Sequence, residues 1–379
     1  SQAAASQVAA SEEDGLTMAS LKAASRLHRH VTNSGDSTLS TSPTQPPPAL
    51  PPQASLHRSR QQQPQAAPGA RATSPAPQKQ ATIHCERDLP LSIDWRQFDL
   101  DGAQLLGEGA FAYAYKVHHR GLGKAFVLKS LKRTGDGEFS QELCNFRKEV
   151  TTMQQLEHRN VLRFYGLLYT KKLGLTIVTE LAERGSLHAL LHKRPDERLS
   201  GLRRVLMAKQ VASGVAYLHS RSIAHRDLTS SNCFLRADCT VLVGDFGLAA
   251  AAAAPNGLAA VGCVGSFLYA SPEMFLGRPY GVATDAYSFG VLLCELALRL
   301  PPEPDRLPRL ADSRLAFAVD VDEFRRLAVQ LAPPDWPAGA VQLAVECVNP
   351  EPDRRPSLAD AARRLDACTL PSAVGRVVL

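Results

Sequence analysis

The chain has 379 residues, 44% hydrophobic and 21% charged, with a formal net charge of +6. Length alone suggests about two domains of about 150 residues each, yet all 13 Phe, 8 Tyr and 2 Trp lie at or after Trp95, so residues 95–379 hold the means to build a core. This composition excludes a collagenous or fully disordered chain; the eight cysteines show no CxxC pair or disulfide framework, and the small basic excess comes without a basic run that would mark a nucleic-acid binder.

Residues 1–94 read as a disordered Ala/Ser/Gln/Pro-rich extension. Ten of the 26 prolines fall between Pro43 and Pro77, and residues 41–80 contain no acid; such a stretch buries too little to offset its chain entropy. Pro48-Ala49-Leu50-Pro51 is either a ligand for proline-reading domains or plain linker. Ser42-Pro43 and Ser74-Pro75 are either phosphate acceptors or unmodified loop. Leu16 to Val31 reads as a short basic helix that docks on a membrane or regulatory partner, or as a solvated segment. The chain opens on Ser1, not Met, which leaves any preceding targeting segment open. Free thiols point to a cytoplasmic, intracellular setting.

From Phe98 the pattern changes. Leu105 to Val117 is a glycine-rich turn between alternating, strand-like flanks, and Ala125 to Lys129 is a short strand ending in lysine. A helix is expected over Phe139 to Leu156, then strands over Val161–Tyr169 and Leu175–Thr179. After Gly185 the periodicity turns helical: Val205, Met207, Ala208, Val211, Ala212, Val215 and Leu218 recur at the spacing of one helix face.

A glycine turn and a lysine are weak signals alone; the ordered set that follows is strong. His225-Arg226-Asp227-Leu228 leads to Asn232, Asp245-Phe246-Gly247 follows, then Ser271-Pro272-Glu273, Asp285 at the head of an apolar helix, and Arg355. In order and spacing this resembles a eukaryotic protein kinase domain across about Phe98 to Asp366. Asn160 to Gly166, the His225–Asn232 loop and Glu303 to Arg309 narrow the resemblance to the LIM kinase and testis-specific kinase branch of the tyrosine-kinase-like group; no LIM zinc module is present in the Cys and His spacings.

The resemblance implies an α+β, two-lobed fold: a small, mainly antiparallel β lobe with one helix over residues 95–182, hinge included, a larger α-helical lobe over residues 183–370, and a tail over 371–379. It implies ATP-dependent phosphoryl transfer to Ser/Thr hydroxyls of protein substrates, with Tyr as an open second acceptor. Phosphoryl transfer needs positioning and charge neutralisation. Lys129 is expected to grip the α- and β-phosphates, paired with Glu149; Glu142 is the competing acid. Asp227 is expected to act as base, with Asn232 and Asp245 as oxygen ligands for Mg²⁺. The ATP pocket is assigned to Leu106, Gly107, Gly109, Ala114, Val127, Lys129, a Thr179 gatekeeper, Glu180 and Leu181 of the hinge, and Phe234 as floor. Ala114 and Val127 reverse the usual large and small residues, which keeps the volume over the ring nearly constant; Phe234 stacks on adenine or crowds it. Glu273 with Arg355 resembles a buried structural ion pair, and Asp285 a brace for the catalytic loop. Cofilin-type actin regulators are substrates in the resembled branch.

The chain departs from the family pattern in three places. The third glycine is Ala112, which stiffens the turn. The Asp227 loop has no lysine. From Phe246 to Pro272 there are 27 residues without a charge, and between Leu248 and Gly265 no Ser, Thr or Tyr. A membrane span fits that length, but Pro255-Asn256-Gly257 breaks it and Asp245 and Glu273 bracket it, so no transmembrane segment is assigned. Arg226 normally meets a loop phosphate; with no acceptor there, the kinase is expected to be constitutive or gated by a partner or its own amino-terminal region. The alternative is a pseudokinase scaffold that binds nucleotide without efficient transfer.

Overall fold

Strand pairing begins at Phe98. In the computed structural model, which describes residues 93–109, 112–132, 139–251, 265–310 and 317–369, β1 (Phe98–Glu108), β2 (Ala112–His119), β3 (Ala125–Leu131), β4 (Phe164–Thr170) and β5 (Gly174–Glu180) form an antiparallel sheet of order β1-β2-β3-β5-β4. The alternation of β3, with Phe126, Leu128 and Ser130 buried, assigns one face to a small core shared with Phe98, Val117, Leu168 and Val178. Packing starts two residues before the aromatic boundary: the Ile93 N–H donates to Leu167 O at 2.6 Å. The sequence readings on residues 1–92, on most of the alanine-rich stretch and on the carboxy-terminal tail lie outside the described residues.

Helix α1 (Phe139–Met153) ends three residues earlier than its apolar pattern suggests, because Gln154 and Leu156 close into turns on Val150 and Met153 carbonyls. Likewise β4 starts at Phe164, not Val161; Val161 instead makes a lone parallel bridge to Val243 in the other lobe. Apolar runs show burial but not which neighbour supplies the backbone partners.

The larger lobe is built on helices. Ser186 caps α2 (Leu187–His192) by accepting from Ala189 N–H, and Ser200 caps α3 (Gly201–Ser220) by accepting from Arg203 N–H; each cap contributes about 1 kcal/mol. Asp335 adds its carboxylate to the start of α3, accepting from Gly201 and Leu202 N–H groups. After a single-turn α4 (Pro272–Phe275) comes α5 (Ala283–Leu298), buried over almost its whole circumference. Such a helix runs through a core instead of over it; α6 (Val321–Leu331), α7 (Ala338–Cys347) and α8 (Leu358–Cys368) surround that core with one apolar face each. Short ladders β6 (Ile223–Ala224) with β9 (Ala250–Ala251) and β7 (Cys233–Leu235) with β8 (Val241–Val243) shape the loops that face the small lobe. Among the described residues no helix is long and apolar enough to cross a membrane.

Arg355 ties α4 to the carboxy-terminal helices. Its Nη1 and Nη2 donate to Glu273 Oε1 and Oε2, both at 2.7 Å, and its remaining donors reach the carbonyls of Ala283, Asn349 and Pro350. Both side chains are buried, so deleting one strands the other charge. Arg355→Ala is expected to destabilise the protein by about 3–5 kcal/mol, read as a lowered midpoint in chemical denaturation.

Candidate active site

Lys129 occupies the face of β3 opposite the small core. Ala114 lies directly across the ladder from it and Val127 two residues before it, so the three share one surface over the cleft. Thr179 of β5 pairs with Val127 and is buried. Lys129 Nζ donates to Glu149 Oε1 at 2.6 Å and to Asp245 Oδ1 at 3.0 Å. Burial by itself would lower the lysine's pKa, but the two carboxylates outweigh it and hold the ammonium charged well above its usual range. In return the Lys129 charge depresses the Asp245 carboxyl below the ordinary carboxylate range. Glu149 sits on α1, followed one turn later by Met153, and Met153, Leu167 and Phe246 belong to one buried cluster. The Glu142 side chain lies outside the described set.

The catalytic-loop group is held from below. Asp285, fully buried at the start of α5, accepts from the N–H of His225 and of Arg226, both at 2.8 Å, and its Oδ2 pairs with His219 Nε2 at 2.8 Å. These bonds fix Arg226 in the left-handed region at φ 65°, a conformation that persists only where its surroundings over-determine it. The next residue, Asp227, accepts from Asn232 Nδ2 through Oδ2 at 2.9 Å and from Ser266 N–H through Oδ1 at 2.7 Å. The same Nδ2 also donates to Asp227 O at 2.8 Å. With both amide hydrogens spent on Asp227, the Asn232 carbonyl oxygen is left to meet a cation. Asp245, at φ 62°, has a side chain 44% exposed toward the cleft. An amide oxygen and a carboxylate are the hard donors that suit Mg²⁺, so this pair fits that ion.

Gly265 brings the following segment onto the loop. It sits at φ +82°, and a Cβ there would lie 2.7 Å from Arg226 O and 2.9 Å from Asp227 Oδ1, so only glycine lets Ser266 reach Asp227. Arg226 Nε donates to Leu248 O at 2.6 Å. The hydroxyls nearby are engaged in burial: Tyr269 donates to Glu295 Oε2 at 2.5 Å, and Ser271 bonds Thr284 at 2.7 Å.

Leu106 is an exposed residue of β1, Gly107 faces Ala114 in the register, and the Gly109 N–H donates to Ala112 O at 2.8 Å; the turn's tip is outside the described residues. Glu180 ends β5 with its carboxylate committed to Arg236 and to the Arg163 N–H, which leaves its backbone, with that of Leu181 and Ala182, at the hinge. Phe234 lies between buried Cys233 and Leu235 and points to the other face of β7.

Two residues at the site are not reached from motifs. One is Gly244, just before Asp245: a Cβ there would lie 3.0 Å from Leu162 Cδ2 and 3.1 Å from Phe234 Cε2. The large ring is seated against a position that has no side chain. The other is Glu295, a buried carboxylate joining Ser230 of the catalytic loop to Tyr269. Its sequence signal is that it is the lone charge between Ala286 and Leu298.

Residues 100–365 match the family described as protein tyrosine and serine/threonine kinase. The chain is a member of that kinase family. It is 36% identical over 296 residues to LIM domain kinase 1 of Drosophila melanogaster, covering 69% of this chain and 22% of that protein. Against dual specificity testis-specific protein kinase 1 it is 36% identical over 277 residues for the Rattus norvegicus protein and 37% over 277 for the Homo sapiens protein, covering 71% of this chain and 41% of each. The chain therefore spans between about a fifth and two fifths of the relatives it matches, and the shared part is the kinase domain.

The contact of Phe234 with Gly244 has a measurable signature. Gly244→Ala is expected to cost about 1–3 kcal/mol through overpacking against Leu162 and Phe234, and Phe234→Leu in the same chain to restore the ring's share of it while the contact with Leu162 remains. A double-mutant cycle by thermal or chemical denaturation reads the coupling directly.

Proposed function

We propose that the chain is a protein kinase that transfers the γ-phosphate of ATP to Ser/Thr hydroxyls of protein substrates, with Tyr as a second acceptor. The observation that carries this reading is the bridging of Lys129 between Glu149 and Asp245 in the same cleft that holds Asp227 and Asn232. Lys129 has one charge to offer phosphate oxygens and two carboxylates that orient it. Asp227, fixed on both oxygens by N–H donors, aims at a hydroxyl and accepts its proton. Asn232 and Asp245 would hold Mg²⁺, which when bound neutralises phosphate charge. Ala114, Val127, Thr179 and Phe234 supply the apolar walls for adenine, and Leu106, Gly107, Gly109, Glu180 and Leu181 its rim. The acceptor class is supported by Gly265-Ser266 seated on Asp227 and by the dual-specificity names of the rat and human relatives. The scaffold alternative has no supporter among these relatives, which carry kinase names.

Purified protein with Mg-ATP and a generic Ser/Thr substrate tests the assignment. Asp227→Asn is expected to lower kcat by about 10²–10⁴-fold while Mg-ATP still raises the melting temperature; equal rates for both proteins would overturn the role of Asp227.

Regulation is proposed to bypass loop phosphorylation. No acceptor hydroxyl lies between Leu248 and Gly265, and Arg226 spends its Nε on a backbone carbonyl. Constitutive activity, or gating by a partner or by residues 1–94, fits this arrangement. Phosphatase-treated protein is expected to keep its full kcat; a requirement for phosphate within residues 246–272, found by phosphosite mapping, would refute it.

A further inference from the structure

Beneath the catalytic loop, away from Lys129 and Asp245, three metal-ligating side chains converge. His188 and His192 stand one turn apart on α2 with ring centroids 4.8 Å apart, the i, i+4 spacing by which a helix offers two imidazoles to one ion. Glu295 of α5 faces them. One donor atom from each of the three lies within 4.8 Å of the others. We propose that His188, His192 and Glu295 form a binding site for one divalent cation of the Zn²⁺ class, distinct from the Mg²⁺ ligands of the cleft.

A second observation points the same way. Glu295 is a wholly buried carboxylate, yet among the described residues no lysine or arginine pairs with it. Its partners are two hydroxyls, Ser230 Oγ at 2.7 Å and Tyr269 OH at 2.5 Å, and His192 Nε2 at 2.7 Å. A buried anion without a permanent counter-charge is costly, and a cation between α2 and α5 would remove that cost. The hydroxyl bonds then become the outer shell that orients a ligating carboxylate. On binding, His192 takes the tautomer with its proton on Nδ1, and Nε2 turns from Glu295 Oε1 to the ion. Ligand atoms about 2.0–2.2 Å from a tetrahedral Zn²⁺ lie closer together than the present spread, so rotation of the His188 and His192 rings closes the site. Two nitrogens and one oxygen favour Zn²⁺ or Co²⁺ over Mg²⁺ and leave a fourth position for water.

The ion would sit where three parts of the kinase meet. Ser230 follows Asp227 by three residues, its carbonyl accepts the His188 N–H at 2.9 Å, and Tyr269 belongs to the segment that seats Ser266 on Asp227.

The test uses the full chain, stripped with chelator and held in excess Mg²⁺ to fill oxygen-donor sites. Co²⁺ is the probe, since tetrahedral Co²⁺ absorbs strongly in the visible range. His188→Ala is the informative variant: it removes one ligand and leaves the bonds of Glu295 to Ser230, Tyr269 and His192 intact, so the fold is retained, as a thermal melt would verify. The number of tetrahedral Co²⁺ equivalents per chain is expected to fall by one in His188→Ala and by one in His192→Ala, and Zn²⁺ is expected to displace that equivalent from the parent protein. The same count in all three proteins, zero included, would overturn the site.

Discussion

A single buried carboxylate, that of Asp285, sets the geometry on which the cleft depends. Burial works against its charge, but His219 and the His225 and Arg226 N–H groups more than offset that, and its pKa stays below the ordinary range. Through those bonds a largely apolar helix dictates the backbone of the catalytic loop. Arg226 is turned into the left-handed region, which sends its carbonyl toward Gly265 and its guanidinium toward Leu248. Asp227 then emerges with both oxygens facing N–H donors. Removing this acceptor would leave two buried N–H groups unpaired, at about 1–3 kcal/mol each.

The upper half of the cleft is organised by charge in another way. Lys129 draws Glu149 from α1 and Asp245 from the larger lobe onto one ammonium, so the sheet, its helix and the opposite lobe share an electrostatic junction. The His225 ring rests on Phe246 at 5.4 Å between centroids, and Asp285 bonds the backbone of that same histidine. The two halves of the site are thus mechanically continuous.

The ordered motifs made the chemistry legible in the sequence, because Lys129, Asp227, Asn232 and Asp245 each sit in a local pattern with its own spacing. Element edges were less legible: Val161 and Leu156 are both apolar, yet Val161 bridges to Val243 far along the chain and Leu156 closes a turn on Met153. The Glu295 cluster was legible only in pieces: a lone charge in an apolar run and two histidines four residues apart. His192 and Glu295 are 103 residues apart, and nothing local to either announces the other. Gly244 escaped for a related reason: a missing side chain has meaning only beside the ring that uses the space. The family comparison agrees with the motifs on the kinase domain, while residues 1–92 stand outside what the structure describes.

The uncharged stretch after Phe246 remains the most distinctive feature of the chain; Arg226 holds Leu248 O near its start, and its described part ends in β9, paired through the backbone with Ile223 and Ala224. The seating of Phe234 and Leu162 against Gly244 ties three parts of the chain together at one bare backbone position. A side chain added there presses on both neighbours at once, so the shape of the floor is set by all three residues and not by the ring alone.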